Sequence, residues 1–147
     1  VVNFTKIQTE INQHCHADLV TLVMRRQMIK IAEKITTNKG GKALVTGESI
    51  GQVASQTLDA INVTNQLATI PIFRPLIAFD KNEIIAKARD INTYKLSTKP
   101  AQDCCTVFVP ETPETHPTME QVLTSEEKLE IADLITAAVN EVEVIEL

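Results

Sequence analysis

The sequence predicts an α/β domain with a Rossmann-like parallel sheet and flanking helices. Short apolar, β-branched runs alternate along the chain with segments of helical periodicity, and no hairpin-type turn joins two of the runs. Residues 42–57, KALVTGESIGQVASQT, form a strand–loop–helix unit of the kind found in parallel sheets. The recognisable strands make a thin sheet, so we expect further strands before Val1.

The composition is that of one globular domain. The chain has 147 residues, 44% of them hydrophobic and 22% charged, which is enough for a core of its own. With four Phe, one Tyr and no Trp, that core must be built from Ile, Leu, Val and Ala, and aromatic platforms for stacking nucleic-acid bases are not expected. The net charge of −5 argues against this chain gripping an RNA backbone by itself.

Cysteine usage and hydropathy indicate a cytoplasmic protein. The chain has three cysteines, two of them adjacent, which is no disulfide framework, and its first residues do not resemble a signal peptide. No apolar run approaches the roughly 18 residues that a membrane span needs. We therefore expect no membrane association.

The N-terminal part predicts two helices separated by a strand. A helix from Thr5 to about Gln13 is indicated by a capping box of Thr5 and Gln8. The apolar run Leu19–Met24 predicts a buried parallel strand. Helical spacing of apolar residues then continues to Ile35, and Gly40 and Gly41 end that helix.

The middle of the chain predicts two further strands, each followed by a helix. The first strand is Ala43–Thr46, and the second is Ile70–Phe73, shortened by neighbouring prolines. Asp80 and Glu83 predict the N-terminus of a helix that ends near Ile91. The helix between the two strands is expected to point these apolar side chains inward: Val53, Ala54, Leu58 and Ile61.

The C-terminal part begins with a proline-rich irregular segment. Prolines in the range 93–118 rule out a long regular element there, apart from a short strand at Thr106–Val109. Thr124 and Glu127 form a capping box that predicts one helix through about Asn140. The ending VEVIEL is expected to be an edge strand or a docked tail.

Two features carry chemistry on residue type alone. The loop around Gly47 follows a predicted strand, where backbone amides and a helix N-terminus attract anions, although a plain turn glycine explains the same residue. Cys104 and Cys105 are too close for an unstrained disulfide, and their spacing is not that of a zinc site. One accessible thiolate there could act as a nucleophile or hold a persulfide, whereas the alternative is a small buried apolar residue.

His14, Cys15 and His16 have the residue types of a metal motif. Three adjacent ligands are crowded, and no second cluster in the sequence completes a site. We therefore expect no bound structural metal.

Three stretches, in order along the chain, resemble one family. They are LVMRRQMIKIAEKI, VTGESIGQVASQT and the pair RPLIAFDKNEII with DCCTVFVP. Together they are similar to the C-terminal part of the bacterial tRNA 4-thiouridine synthases, the tRNA sulfurtransferases that also feed sulfur to thiamine biosynthesis. The similarity runs from Phe4 to the IEL ending, and it implies part of a PP-loop ATP pyrophosphatase domain.

The resemblance implies a reaction and residues for it. Family members adenylate a uridine of tRNA with ATP and Mg²⁺, and sulfur delivered as a persulfide then displaces AMP. Arg25, Gly47 and Gln56 fall on positions that contact ATP, and Lys81 falls on a lysine needed for activation. Cys105 aligns with the family's single loop cysteine, so it is the expected catalytic thiol, with Cys104 a bystander or a helper. The family also implies a cysteine desulfurase as sulfur donor and a homodimer.

Several parts of that machinery are missing from residues 1–147. No pyrophosphate loop of the SGGxDS type occurs, and the family's N-terminal RNA-binding module has no counterpart. We therefore expect the C-terminal portion of a larger synthase, inactive alone. The alternatives are a non-catalytic nucleotide-binding domain that lacks the pyrophosphate loop, and a thiol–disulfide module, which lacks the CxxC spacing.

Overall fold

The structure is a computed structural model that describes residues 1–101 and 110–146. Within these ranges the chain forms seven α-helices, two short β-strands and two 3₁₀ turns, at Ala17–Leu19 and Ala54–Gln56. The helices are α1 Thr5–His14, α2 Val20–Asn38, α3 Leu58–Asn65, α4 Lys81–Asp90, α5 Tyr94–Ser97, α6 Met119–Glu126 and α7 Ala132–Asn140, and the strands are β1 Leu44–Val45 and β2 Ile72–Phe73.

The two strands pair in parallel, as the sequence predicts. Leu44 lies opposite Ile72, and Val45 lies opposite Phe73. Bonds from Leu44 N to Pro71 O (2.9 Å) and from Thr46 N to Phe73 O (3.0 Å) extend the ladder beyond the strand bounds. Both strands are thus where they are predicted, although each is shorter than its apolar run. The predicted short strand Thr106–Val109 lies outside the described residues.

The strand predicted at Leu19–Met24 is wrong, because Val20–Asn38 is one helix of 19 residues. Helix α2 packs against α1, α3 and α7. Leu22, Val23 and Met24 are all buried, so this end of the helix has no polar stripe and reads as a continuous apolar run. The predicted end is confirmed: Gly40 has φ +75°, and Gly41 N donates to Thr36 O at 2.8 Å.

The core surrounds α2 and is aliphatic, as expected from the composition. Its side chains come from both ends of the described chain, so α1 and α7 close over the same helix. The buried cluster comprises Ile7, Ile11, Leu19, Val20, Leu22, Val23, Met24, Ile31, Ala60, Val63, Val122, Ile131, Ile135 and Ala138.

The helix between the strands differs from its prediction. It begins at Leu58, and its buried face consists of Ala60, Val63 and Thr64. The 3₁₀ turn at Ala54–Gln56 precedes it and changes the phase of the pattern. As a result, the predicted inward residues Val53 and Leu58 are 54% and 67% exposed.

The predicted caps have mixed outcomes. The capping box of Asp80 and Glu83 at α4 is confirmed, with Glu83 N donating to Asp80 Oδ1 at 2.9 Å. The box predicted at Thr5 is wrong, because Phe4 is the N-cap of α1 and Asn3 Oδ1 accepts from Thr5 N at 3.1 Å instead. The predicted helices themselves are both present.

The single helix predicted from Thr124 to Asn140 is also wrong. Two helices occupy this range, and Thr124 lies inside α6. The capping box that begins α6 is formed by Thr118 and Gln121, which have the same spacing as Thr124 and Glu127. Farther along, the tail docks on the N-terminus through a 2.9 Å bond from Glu143 N to Val1 O.

A buried ion pair joins α2 to α6. Arg26 is 1% exposed, and its Nε and Nη2 donate to the two oxygens of Glu126 at 2.8 and 2.9 Å. Its Nη1 donates to Val63 O of α3. The bidentate contact and the bond to Val63 O together fix three helices relative to one another.

No helix in the described part of the chain combines the length and apolar character that crossing a membrane requires.

Candidate functional site

A cleft of about 550 Å³ opens beside the carboxyl end of β1. One wall is the face of α2 that carries Leu22, Met28 and Ile29. The opposite wall comes from the loop after β1 and from Val53–Gln56, and the segment from Pro110 to Glu114 closes one side. Its size and largely apolar lining are those of small-molecule sites.

The loop after β1 is held in place by one side-chain and two backbone hydrogen bonds. Ser49 Oγ donates to Phe79 O at 2.6 Å, and Ile50 N donates to Ile77 O at 3.0 Å. Gly51 has φ +76°, a conformation that favours glycine, and its N donates to Gln56 O at 3.0 Å. The loop is therefore a fixed turn between β1 and the segment that precedes α4.

Glu48 lies in this loop and is shared by two arginines. Its side chain is 7% exposed, and one carboxylate oxygen contacts Arg25 Nη2. The other accepts from Arg74 Nε at 2.6 Å and from Thr46 Oγ1 at 2.9 Å. Burial lowers the pKa of the Arg74 guanidinium below its ordinary value. The buried carboxylate of Glu48 therefore connects α2 with the residue after β1 and the residue after β2.

Arg25 and Gln56, both predicted as site residues, line this cleft. Arg25 lies within α2 and not at the end of a strand, because the predicted strand there is helical. Its Nη1 donates to Ser55 Oγ at 3.2 Å, beside Gln56. Gln56 Oε1 accepts from Ser49 N at 3.3 Å, which leaves the amide nitrogen of Gln56 as a donor for a ligand.

Gly47 lies between Thr46 and Glu48, two residues that line the cleft. It is exposed, and its φ is not in the left-handed region. A Cβ at this position would meet no described atom within 4 Å. The backbone of Gly47 is therefore open to a neighbouring molecule, and its lack of a side chain is not required by the local fold.

Lys81, the fourth predicted site residue, does not line the cleft among the residues described. It is the exposed first residue of α4. Phe79, two residues earlier, accepts the bond from Ser49 Oγ, so the start of α4 lies next to the cleft loop. Asp80 caps this helix, and Lys81 contributes no cap of its own.

Cys105 and Cys104, the remaining candidates, lie outside the described residues. The chain that follows them is described, and Pro110 and Pro113 contribute to the cleft. Glu114 N donates to Asp18 O at 3.1 Å, and Thr57 Oγ1 donates to Thr115 O at 2.7 Å. This segment is thus attached both to the start of α2 and to the start of α3.

The His14–Cys15–His16 stretch has ordinary structural contacts. Cys15 Sγ donates to Ser125 O at 3.4 Å, and His16 N donates to Ser125 Oγ at 3.1 Å. Burial is the main cause that raises the pKa of the Cys15 thiol. In residues 1–101 and 110–146, no three His, Cys, Asp or Glu side chains come together as a group that could hold a metal ion.

Sequence reasoning missed Glu48 and Arg74. Arg74 follows β2 directly, and Glu48 follows β1 by three residues. Because β1 and β2 are parallel neighbours, their carboxyl ends meet at one edge, and this could have suggested the pair. Arg25 is the other arginine that contacts Glu48. It lies in α2, a helix that the sequence predicts to begin only after the strand Leu19–Met24.

The charges that line the cleft favour binding of an uncharged portion of a ligand inside it. Arg25 is the cationic lining residue in the described ranges, whereas Asp18, Glu48 and Glu114 supply carboxylates. Arg25 already contacts Glu48, so a phosphate would have to share this guanidinium. The apolar walls suit an uncharged, largely apolar part of a small-molecule ligand.

The fold and site define an α/β domain with a ligand-sized cleft at the carboxyl end of parallel strands. Its sequence identifies the family more closely. The chain belongs to the family described as thiamine biosynthesis protein (ThiI), whose model matches residues 1–131.

Curated relatives agree with this family. The chain is 53% identical over 135 residues to a probable tRNA sulfurtransferase of Caldanaerobacter subterraneus subsp. tengcongensis, covering 92% of this chain and 36% of that protein. It is 49% identical over 145 residues to a probable tRNA sulfurtransferase of Acetivibrio thermocellus, covering 99% of this chain and 37% of that protein. The chain thus spans little more than a third of the length of these relatives.

The structure also matches a solved one. The match is to a crystal structure of a 4-thiouridine synthetase–RNA complex with bound ATP, with a TM-score of 0.89 and 40% sequence identity. It covers 99% of this chain and 38% of that chain. The predicted α/β fold is thereby confirmed, including its parallel strands.

Proposed function

We propose that the chain forms the nucleotide-binding and sulfur-transfer half of an ATP-dependent tRNA sulfurtransferase. This enzyme makes 4-thiouridine in tRNA and also supplies sulfur for the thiazole of thiamine. The observation that carries the proposal is the cleft itself, onto which Arg25 and Gln56 converge from distant parts of the chain. The relatives named as sulfurtransferases and the solved synthetase with ATP support it.

The cleft holds the nucleoside end of ATP, bound as its magnesium complex. Bound ATP supplies the AMP group that activates a uridine carbonyl oxygen for displacement by sulfur. Gln56 donates through its amide nitrogen, and the backbone at Gly47 allows close approach of the nucleotide. Arg25 is held by Glu48 and Ser55, so it presents its guanidinium without a change of rotamer.

Lys81 stabilises negative charge during activation of the uridine. Its position supports this role for a physical reason: a cation in the first turn of a helix opposes the macrodipole, and α4 already has a complete capping box without it. Helix stability thus does not account for the lysine. Its exposed side chain lies near the cleft loop, where it can reach a phosphate outside the cleft.

Cys105 is the thiol that takes part in sulfur transfer. Pro110, which contributes to the cleft, follows Cys105 by five positions in the sequence. The closeness of Cys105 in sequence to a cleft residue supports this assignment, and so does its match to the loop cysteine of the family. Cys104 adds no required function in this scheme.

The proposal extends to parts of the enzyme beyond this chain. The pyrophosphate loop and a basic RNA-binding module belong to the rest of the polypeptide, which fits the net charge of −5 here. A cysteine desulfurase delivers the sulfur, and the enzyme works as a homodimer in the cytoplasm, where tRNA is found.

The test is 4-thiouridine in tRNA from cells that lack their own synthase and express the full-length protein. Wild type and Cys104→Ser are expected to restore the nucleoside, and Cys105→Ser is expected to abolish it. The adjacent cysteine is a matched control, because both variants make the same chemical change one residue apart. Restoration by Cys105→Ser would contradict the assignment of that thiol.

The non-catalytic alternative has a different outcome in the same cells. A nucleotide-binding domain without sulfurtransferase activity would leave tRNA free of 4-thiouridine even with the wild-type protein. ATP binding by that protein, measured in parallel, would then favour the alternative.

A further inference from the structure

Thr57 makes two hydrogen bonds with one hydroxyl group. Its Oγ accepts from Ala60 N at 3.1 Å and so caps α3. The same hydroxyl donates to Thr115 O at 2.7 Å, across 58 residues of sequence. A hydroxyl has one donor and two acceptor positions, so both bonds form at the same time.

The second bond holds the segment that closes the cleft. Pro110, Pro113 and Glu114 line the cleft, and Thr115 follows them directly. Gln56, on the wall formed by the β1 loop and Val53–Gln56, precedes Thr57 directly. The hydroxyl of Thr57 therefore joins the two sides of the cleft within one residue of each.

The other bonds of this segment do not attach it firmly to the wall with Gln56. Glu114 N bonds Asp18 O at 3.1 Å, which fixes the segment to the start of α2 but not to the wall with Gln56. His116 Nδ1 lies 2.8 Å from Asp59 Oδ2, but these side chains are 80% and 54% exposed, and an exposed contact of this kind adds little. In the described ranges, Thr57 is thus the part-buried side-chain link between the Pro110–Pro117 segment and the wall with Gln56.

We propose that Thr57 is a positioning residue for the nucleotide. Its bond to Thr115 holds the Pro110–Pro117 segment over the cleft and thereby sets the affinity for the adenine nucleotide. This inference rests on the proposed function, because the nucleotide is the ligand of that cleft. Helix capping alone explains the bond to Ala60 but not the one to Thr115.

Thr57→Asp separates the two bonds. A carboxylate caps a helix as well as a threonine does, but it has no hydrogen to donate to Thr115 O. Thr57→Ser keeps both bonds. Thr118→Asp is the matched control, because it places the same charge at the N-cap of α6 without touching the bond to Thr115.

Binding of ATP to the full-length protein is measured by titration calorimetry. Thr57→Asp is expected to bind at least about fivefold more weakly, because the bond to Thr115 O is lost and the new carboxylate repels that carbonyl oxygen. Thr57→Ser and Thr118→Asp are expected to stay within about twofold of wild type. Amide exchange should become faster in residues 110–117 of Thr57→Asp and stay unchanged in α3.

The opposite results would overturn either this inference or the proposed function. Wild-type affinity in Thr57→Asp, or an equal loss in Thr118→Asp, would overturn the positioning role and leave the proposed function standing. A wild-type protein that binds no ATP would contradict the proposed function, and the exchange data would still test the link. If Thr57→Asp fails to fold, Thr57→Gly takes its place, because glycine is tolerated at an N-cap and has no hydroxyl to donate to Thr115 O. A folded Gly variant with wild-type affinity would also overturn the inference, and this variant adds no charge near the cleft.

Discussion

Glu48→Gln is expected to destabilise this part of the molecule by about 3 kcal/mol. The substitution keeps the size of the side chain and removes its charge. Arg25 and Arg74 would then face each other across a neutral amide, with side chains that are 18% and 12% exposed. The reason is electrostatic, because the buried Glu48 carboxylate is the anion that both guanidinium groups contact.

The magnitude follows from burial. Removing one partner of a buried ion pair costs about 3–5 kcal/mol, since the remaining charge stays buried without compensation. Glutamine keeps one carbonyl oxygen, which can still accept from Arg74 or Thr46, so the lower end of that range applies. A loss of this size is a large fraction of the roughly 5–15 kcal/mol that stabilises a typical domain.

Native-state hydrogen exchange measures this loss in the full-length protein. The most protected amides of α2 report the free energy of opening of this part of the molecule. Glu33→Gln is the matched control, because the Glu33 carboxylate accepts from Thr69 N and Thr69 Oγ1 but pairs with no arginine in the described ranges. The control is expected to change the same free energy by less than about 1 kcal/mol. A Glu48→Gln protein within about 0.5 kcal/mol of wild type would refute the shared ion pair.

Three further predictions follow from the site. Gly47→Ala should leave the fold intact, because an added Cβ meets no described atom, but it should weaken ATP binding about tenfold as measured by calorimetry. Gly51→Ala should instead destabilise the loop, because Gly51 has a φ of +76°, which favours glycine. Lys81→Ala should lower the rate of uridine activation about 100-fold in a tRNA thiolation assay, with Lys87→Ala on the same helix as the matched control. Alkylation of Cys15 should have its midpoint at a higher pH than alkylation of a small free thiol, because burial raises the pKa of the Cys15 thiol. The stability that the protonated thiol contributes is therefore complete below the pKa of the unfolded-state thiol, and it is lost as the pH rises through the higher folded-state pKa.

Each of these has an outcome that contradicts it. Unchanged affinity in Gly47→Ala would show that no ligand approaches that backbone. Equal rates for the two lysine variants would remove Lys81 from the activation step. A Cys15 peptide that reacts at pH 8 as fast as a small free thiol would show that this side chain is not buried in solution.

The sequence predicted the local features of this fold better than its long-range ones. The strands β1 and β2, the helix that Asp80 begins and the end of α2 at Gly40 were all located correctly, because each has a short signal of its own. Leu19–Met24 was misassigned because helices pack on several sides of α2, and burial on several sides removes the periodicity that separates helix from strand. The break between α6 and α7 was missed because Thr118 with Gln121 and Thr124 with Glu127 have the same capping-box spacing. The sequence alone does not show which pair begins a helix.

Part of the candidate cleft lining was predicted, but from the family resemblance and not from a local signal. Arg25, Gly47 and Gln56 came from the family resemblance, and the structure brings Arg25 and Gln56 to one cleft. Glu48 and Arg74 carry no local signal, since their partners lie 23 and 26 residues away in sequence. Only the parallel pairing of β1 with β2 places these charges together.

Binding of ATP by Gln56→Ala and Gln52→Ala tests the central claim most directly. Gln56 lines the cleft, whereas Gln52 is an exposed glutamine of the same loop region, outside the cleft lining. In the full-length protein, calorimetry is expected to show about tenfold weaker binding for Gln56→Ala and no change beyond about twofold for Gln52→Ala. Wild-type affinity in both variants would contradict the account, because the cleft described here would then not hold the nucleotide.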